Sequence, residues 1–150
     1  MTSGKGTNAT LTAKTVSGGG FSVTDLPPAT GKYTYVASYS SNSYAPASRA
    51  VVVTVTAAKP SLKLAVSAKS VRPGTKVTVT ATLGKPHANK TLVIYEQAKG
   101  HSKKVIKRGT VNAKGQLSVT IAVSANTTFT VTFSGDTWYT SGSATAAVKA

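Results

Sequence analysis

Apolar and polar residues alternate one by one through much of the second half of the chain. The clearest run is TKVTVTATL at residues 75–83, in which Val77, Val79 and Leu83 alternate with lysine and threonine. A period of two predicts a β-strand with one buried and one solvated face. Valine and threonine dominate these runs, and both are β-branched residues that favour strands. Because no stretch shows a convincing helical pattern, the sequence predicts an all-β protein.

Turn signals divide this region into short strands. Glycine and proline recur between the alternating runs, for example at Pro73, Gly100 and Gly115. The predicted strands lie at about 61–67, 75–83, 91–97, 103–108, 116–122, 127–134 and 143–149. Seven strands in about 90 residues are typical of an immunoglobulin-like antiparallel β-sandwich. The residues predicted to face inward are Val77, Val79, Leu92, Ile94, Leu117, Val119, Phe129, Val131 and Phe133.

The first part of the chain repeats the ending of the second part. FSGDTWYTSGSATAAVK at 133–149 has a looser counterpart, YSSNSYAPASRAVVVTV, at 39–55. We therefore expect a partial module of four strands in residues 1–56, a linker at 57–60 and a complete module in residues 61–150. Because four strands expose one face, the partial module is expected to be cut from a longer chain, or to pair with the second module or with another copy as a dimer.

The repeated ending also carries a resemblance to a family. An aromatic strand is followed by Ser-Gly-Asp, a spacer, tyrosine, small residues and a last strand rich in threonine and valine. Together with SVRPGTKVTVTATL and KTLVIYEQ, this segment resembles the bacterial immunoglobulin-like repeats found in tandem in secreted and surface proteins, especially of actinobacteria. The first copy departs from the pattern, since Ser41 and Asn42 stand where glycine and aspartate are usual. The resemblance implies a location outside the cytoplasm, neighbouring domains as partners, and no single ligand.

The composition is strongly basic and lacks cysteine. Eighteen Lys and Arg against 3 Asp and Glu give a formal net charge of +15. No apolar run approaches the roughly 20 residues that span a bilayer, and the first residues lack the layout of a signal peptide. The expected extracellular location therefore rests on the resemblance alone.

The positive charge is densest in KGHSKKVIKR, residues 99–108. Two interpretations are open: the cations protect an exposed edge strand from pairing, or they bind a polyanion such as an anionic cell-wall polymer, a glycan or lipid headgroups. In a regular strand, Lys103 would share a face with Lys107, and Lys104 with Arg108. Nucleic acid is a weaker partner, because neither a groove-reading helix nor interleaved aromatic residues accompany the charge. The candidate polyanion-binding residues are Lys99, Lys103, Lys104, Lys107 and Arg108.

Few residues are suited to catalysis or metal binding. His87 and His101 lie in loop-like segments among lysines, without a carboxylate close in sequence. Two isolated histidines without cysteine or paired carboxylates make a poor metal site. A Ser-His-Asp arrangement formed in space stays open as an alternative, although the complete module has only two carboxylates to orient a histidine base. Glu96 is interpreted as a solvated strand end, and the alternative is that it promotes a Lys-Asn isopeptide crosslink, as a buried carboxylate does in some immunoglobulin-like surface domains. We therefore expect no catalytic, cofactor-binding or metal-binding residue.

The turn after the aromatic strand holds the last candidate residues. Asp136 follows a glycine and is expected to accept hydrogen bonds from its own turn. Trp138 and Tyr139 are expected to pack at the end of the sandwich, with contact to a glycan or partner as the alternative. The sequence thus favours a non-enzymatic spacer or presentation module, and the alternative is a cell-envelope polyanion or carbohydrate-binding module.

Overall fold

The computed structural model describes residues 10–40, 42–84 and 90–150, and these residues form strands and connecting turns but no helix. The chain divides into two compact units, Met1–Ala57 and Ala58–Ala150. The first unit contains β1 (Gly31–Tyr39) and β2 (Ala47–Val55). The strands of the second unit are β3 (Lys63–Val66), β4 (Thr75–Thr82), β5 (Thr91–Ala98), β6 (Lys104–Thr110), β7 (Gln116–Val123), β8 (Thr127–Phe133) and β9 (Gly142–Val148). The described part of the chain has no helix long and apolar enough to cross a membrane.

The first unit is an antiparallel hairpin. β1 and β2 pair along their whole length, from Gly31 opposite Val55 to Tyr39 opposite Ala47. None of the described residues of this unit is buried. Of the four strands expected here, two form, and the described residues 10–30 contain no strand. The segment FSVT at 21–24 matches LSVT at 117–120, which lies in β7. It has no neighbouring strand to pair with in the described residues, and an unpaired strand is not stable in water.

Two tyrosines of β1 bind the segment that precedes the hairpin. The hydroxyl of Tyr33 donates to the carbonyl oxygen of Ala29 at 2.6 Å. The hydroxyl of Tyr35 donates to the carboxylate of Asp25 at 2.8 Å. This hydrogen bond is the main reason why the pKa of Tyr35 lies above its ordinary value of 10.0. Residues 25–29 are thus held against one face of the hairpin by hydrogen bonds, without a hydrophobic core.

The second unit is made of two antiparallel sheets. One has three strands in the order β3-β4-β7, and the other has four in the order β6-β5-β8-β9. Each of the seven strands predicted for residues 61–150 forms within a few residues of its expected bounds. Isolated parallel bridges join Ala58 to Tyr139 and Ser70 to Lys149.

The two sheets share one hydrophobic core, which gives the second unit a sandwich-like architecture. β4 and β7 contribute from one sheet, and β5, β8 and β9 from the other. Eight of the nine residues predicted to face inward are buried, and the ninth, Val119, is half-buried and packs against them. The core also includes residues outside that prediction, namely Ala81, Leu83, Val111, Val123 and Val148. Alternation therefore identified the buried faces of the central strands.

Candidate functional site

The basic segment 99–108 follows one edge of the four-stranded sheet. β6 is the outermost strand there, and among the described residues it pairs only with β5. Charged side chains along an edge discourage the addition of another strand, because a new strand would have to cover them. The position of β6 therefore agrees with edge protection. Whether the segment can also bind an anion depends on where each of its basic side chains lies.

A β-bulge interrupts β6. Ile94 pairs with Lys107 and Tyr95 pairs with Val105, so Ile106 is an additional residue without a partner on β5. Ile106 packs against the hydrophobic core. A bulge of this kind reverses the alternation of side chains along the strand that carries it.

Two of the lysines lie on the side of β6 that faces the core. Lys104 pairs with Glu96 and Lys107 pairs with Ile94, and both partners are buried residues of β5. Residues that pair directly across two strands share a face. The prediction that Lys107 shares a face with Lys103 is therefore wrong, because it assumed a strand without a bulge.

Glu96 is buried, so its interpretation as a solvated strand end is also wrong. It continues the inward-facing series of Leu92 and Ile94, and only 7% of its surface is exposed. Its Oε2 atom lies 3.3 Å from Nζ of Lys104, which makes an ion pair, although no hydrogen bond reaches that oxygen. A buried carboxylate is costly without a counter-charge. Lys104 is therefore required by the fold.

Lys103, in the turn before β6, and Arg108 lie on the outer face of the sheet. The ammonium group of Lys103 lies 4.6 Å from the centroid of the Tyr95 ring, within cation–π distance. Arg108 pairs with Val93, which alternates with the buried residues of β5 and so faces outward. A shallow groove of about 480 Å³ lies on this face. We call it the outer groove, and its lining includes Thr91, Val93, Tyr95, Arg108, Thr132 and Ser134.

The outer groove carries positive charge without a nearby acid. The carboxylate side chains of the second unit are Glu96 and Asp136, and each forms an ion pair with a lysine outside the groove. Among the described residues, Lys103 and Arg108 have no carboxylate within ion-pair distance. Both cations are therefore available to an anionic ligand.

The turn after β8 is held by Asp136, as predicted. Its Oδ1 atom accepts hydrogen bonds from the backbone N–H groups of Trp138, at 2.8 Å, and Tyr139, at 2.9 Å. Its Oδ2 atom lies 3.0 Å from Nζ of Lys90. The Trp138 hydrogen bond, followed by the interactions with Lys90 and Tyr139, outweighs partial desolvation and lowers the pKa of Asp136 below its ordinary value of 3.8. The carboxylate is thus a structural element of the turn.

The same turn requires a glycine. Gly135 has a φ angle of +87°, and a Cβ atom there would lie 2.8 Å from the backbone nitrogen of Ser141 and 2.9 Å from the carbonyl oxygen of Tyr139. The side chain of Tyr139 packs against the core, whereas Trp138 is 41% exposed. Of the two candidate contact residues in this turn, Trp138 is the more exposed.

The described residues form no metal-binding cluster around a histidine. His101 is exposed in the turn before β6, and His87 lies outside the described residues. Within 10–40, 42–84 and 90–150, no three His, Cys, Asp or Glu side chains cluster closely enough to hold a metal ion.

Tyr95 is the site residue that sequence reasoning missed. Its position between Ile94 and Glu96 marks it as outward-facing, and that signal is visible in the sequence. Its proximity to Lys103 and Arg108 depends on the bulge in β6 and on the order of the strands. Alternation in the sequence reveals neither of these.

Comparison with known proteins identifies no family and no function for this site. No protein-family model matches the chain, and no curated protein matches it.

Proposed function

We propose that the chain is a non-enzymatic structural module with an immunoglobulin-like fold, from a secreted or cell-surface bacterial protein, which links or presents neighbouring domains. The grouping of strands supports the fold. In the second unit, the first, second and fifth strands form one sheet, and the third, sixth and seventh lie together in the other, as they do in immunoglobulin domains. The fourth strand, β6, joins the second of these sheets beside β5. The setting outside the cytoplasm is supported by the sequence resemblance.

The observation that carries the spacer function is the distance between the two ends of the second unit. Ala58 bridges Tyr139 just before β9 begins, and β9 then runs away from this point to Val148. At about 3.3 Å per residue, the two ends lie roughly 30 Å apart. A module that receives the chain at one end and releases it at the other lengthens a tandem array.

The state of the carboxylates supports a role without catalysis. Glu96 is buried beside Lys104, and Asp136 accepts hydrogen bonds from its own turn. Neither is therefore placed to act as a base or nucleophile on a substrate in solvent.

Small-angle X-ray scattering on proteins with one, two and three tandem copies of residues 58–150 tests the spacer function. We expect the maximum dimension to grow by roughly 30 Å with each copy. A maximum dimension that barely changes from one to three copies would show that the modules fold back on one another, and the proposal would be wrong.

A second candidate function is the binding of an anionic cell-envelope polymer or carbohydrate. One observation favours it: among the described residues, Lys103 and Arg108 lack a carboxylate partner, whereas Lys104 is engaged by Glu96. Edge protection alone does not require cations on the outer face of the sheet. Dimerisation through the first unit stays a prediction, which sedimentation velocity tests.

A further inference from the structure

We propose that the outer groove binds an extended polysaccharide whose acidic groups are carboxylates, a polyuronate, and that Tyr95, Lys103 and Arg108 are its main contacts. The proposal rests on the second candidate function and specifies the site and the ligand class. It is independent of the spacer function, because a spacer module can hold domains apart with or without a bound glycan.

The placement of the two cations favours an oligomer over a single small anion. Lys103 just precedes β6 and Arg108 lies in it, so their backbone positions are roughly 13 Å apart along the strand direction. Tyr95 lies between them on the neighbouring strand, where its ring contacts the Lys103 ammonium. A ligand that contacts all three side chains therefore extends along the direction of β6.

The chemistry of the lining favours a sugar polymer that bears carboxylates. The guanidinium group of Arg108 presents paired donors that match the two oxygens of a carboxylate. The Tyr95 ring offers an apolar surface to the carbon-bound face of a pyranose ring. Thr91, Thr132 and Ser134 line the same groove and supply hydroxyl groups that both donate and accept. A phosphate polymer without sugar rings uses the cations but gains nothing from Tyr95.

The absence of an acid from the groove makes an anionic ligand favourable there. The carboxylates of the second unit are held elsewhere, one buried beside Lys104 and the other in the turn after β8. A bound uronate therefore replaces no ion pair made by the described residues. Because the face is open to solvent, the attraction is screened over about 8 Å at physiological salt, and binding should weaken as salt is raised.

The test is isothermal titration calorimetry, in which an oligogalacturonate is titrated into the full chain at low salt. The informative variant is K103Q/R108Q, and its matched control is K99Q/K107Q, which removes the same charge from the same segment at residues that do not line the outer groove. Losing two charge-assisted contacts should weaken binding by roughly tenfold or more. The control should change affinity by about twofold or less, as expected for a screened surface charge. Thermal unfolding of each variant verifies that it is folded.

A third variant, Tyr95→Leu, tests the sugar contact without changing the charge. It should weaken binding of the oligogalacturonate and leave binding of inorganic polyphosphate unchanged. If polyphosphate binds the unaltered protein as tightly as the oligogalacturonate, and Tyr95→Leu affects neither, the assignment to a polyuronate is overturned.

The remaining outcomes separate failure of the site from failure of the function. An equal loss in K103Q/R108Q and K99Q/K107Q would overturn the outer groove as the site and leave diffuse polyanion binding in place. No binding by the unaltered protein at low salt would overturn both the site and the second candidate function, while the spacer function would stand.

Discussion

The chain contains the same hairpin pattern twice, and in the part that the structure describes only the second copy packs on a core. Tyr39 ends β1 and Phe133 ends β8, so the two residues stand at equivalent positions. Tyr39 is 49% exposed, whereas Phe133 is 3% exposed. Both hairpins are regular antiparallel pairs along their whole length.

The difference lies in what covers each hairpin. β8 also pairs with β5, and its inward face packs against residues of β4 and β7 in the opposite sheet. β1 pairs with β2 alone, and none of the described residues of its unit is buried. Backbone pairing therefore gives a hairpin its register, but burial requires a second layer of structure.

The comparison predicts very different costs for truncating the two equivalent aromatic residues. Phe133→Ala should destabilise the second unit by about 3–5 kcal/mol, because it leaves a cavity in a packed core. Tyr39→Ala should change the stability of the first unit by about 0.5 kcal/mol or less, as is usual for an exposed side chain. Urea unfolding of both variants measures the difference. Similar costs for the two would mean that the first hairpin also has a core, and the comparison would fail.

The turn that closes the second hairpin provides a smaller expected effect, and another turn of the same unit serves as its comparison. Gly135→Ala should cost about 1–3 kcal/mol, because the residue is held at a positive φ angle that alanine adopts only under strain. A Cβ atom there would also lie within 3.0 Å of backbone atoms across the turn. Gly74→Ala is the control, since its φ angle is also positive, at +85°, but its Cβ would meet nothing within 4 Å. Equal costs for the two substitutions would show that crowding in the turn after β8 contributes nothing.

Alternation in the sequence predicted the second unit well and its edge poorly. The run at 75–83 forms β4, and its alternating residues Val77 and Val79 are buried in the core as predicted. The same alternation puts Glu96 on the face of Leu92 and Ile94, but its position at the end of the predicted strand led to the wrong interpretation. Its counter-ion Lys104 comes from another strand, which local sequence does not reveal. The bulge at Ile106 depends on pairing with β5 and on packing, neither of which local sequence encodes. For the same reason, FSVT at 21–24 looked like a strand but has no partner in the described residues.

The smallest predicted contrast concerns pH. The pKa of Asp136 is lowered in the folded state, so its contribution to stability is fully present above pH 3.8 and is lost as pH falls through the lower folded pKa. The corresponding position in the first hairpin is Asn42, which does not titrate. We expect thermal stability of the second unit to fall below this pH, and Asp136→Asn to reduce that fall. An unchanged pH profile in Asp136→Asn would assign the acid sensitivity to other groups.

The most direct test of the account is residue-resolved amide hydrogen exchange on the full chain by NMR. We expect the slowest exchange for amides of β4, β5, β7 and β8, whose hydrogen bonds lie around the shared core and open only with the whole unit. In β1 and β2 we expect exchange that is faster by orders of magnitude, because a hairpin without buried residues opens locally. Protection of β1 and β2 equal to that of β8 would contradict the account, because the first hairpin would then have to be covered by a layer of its own.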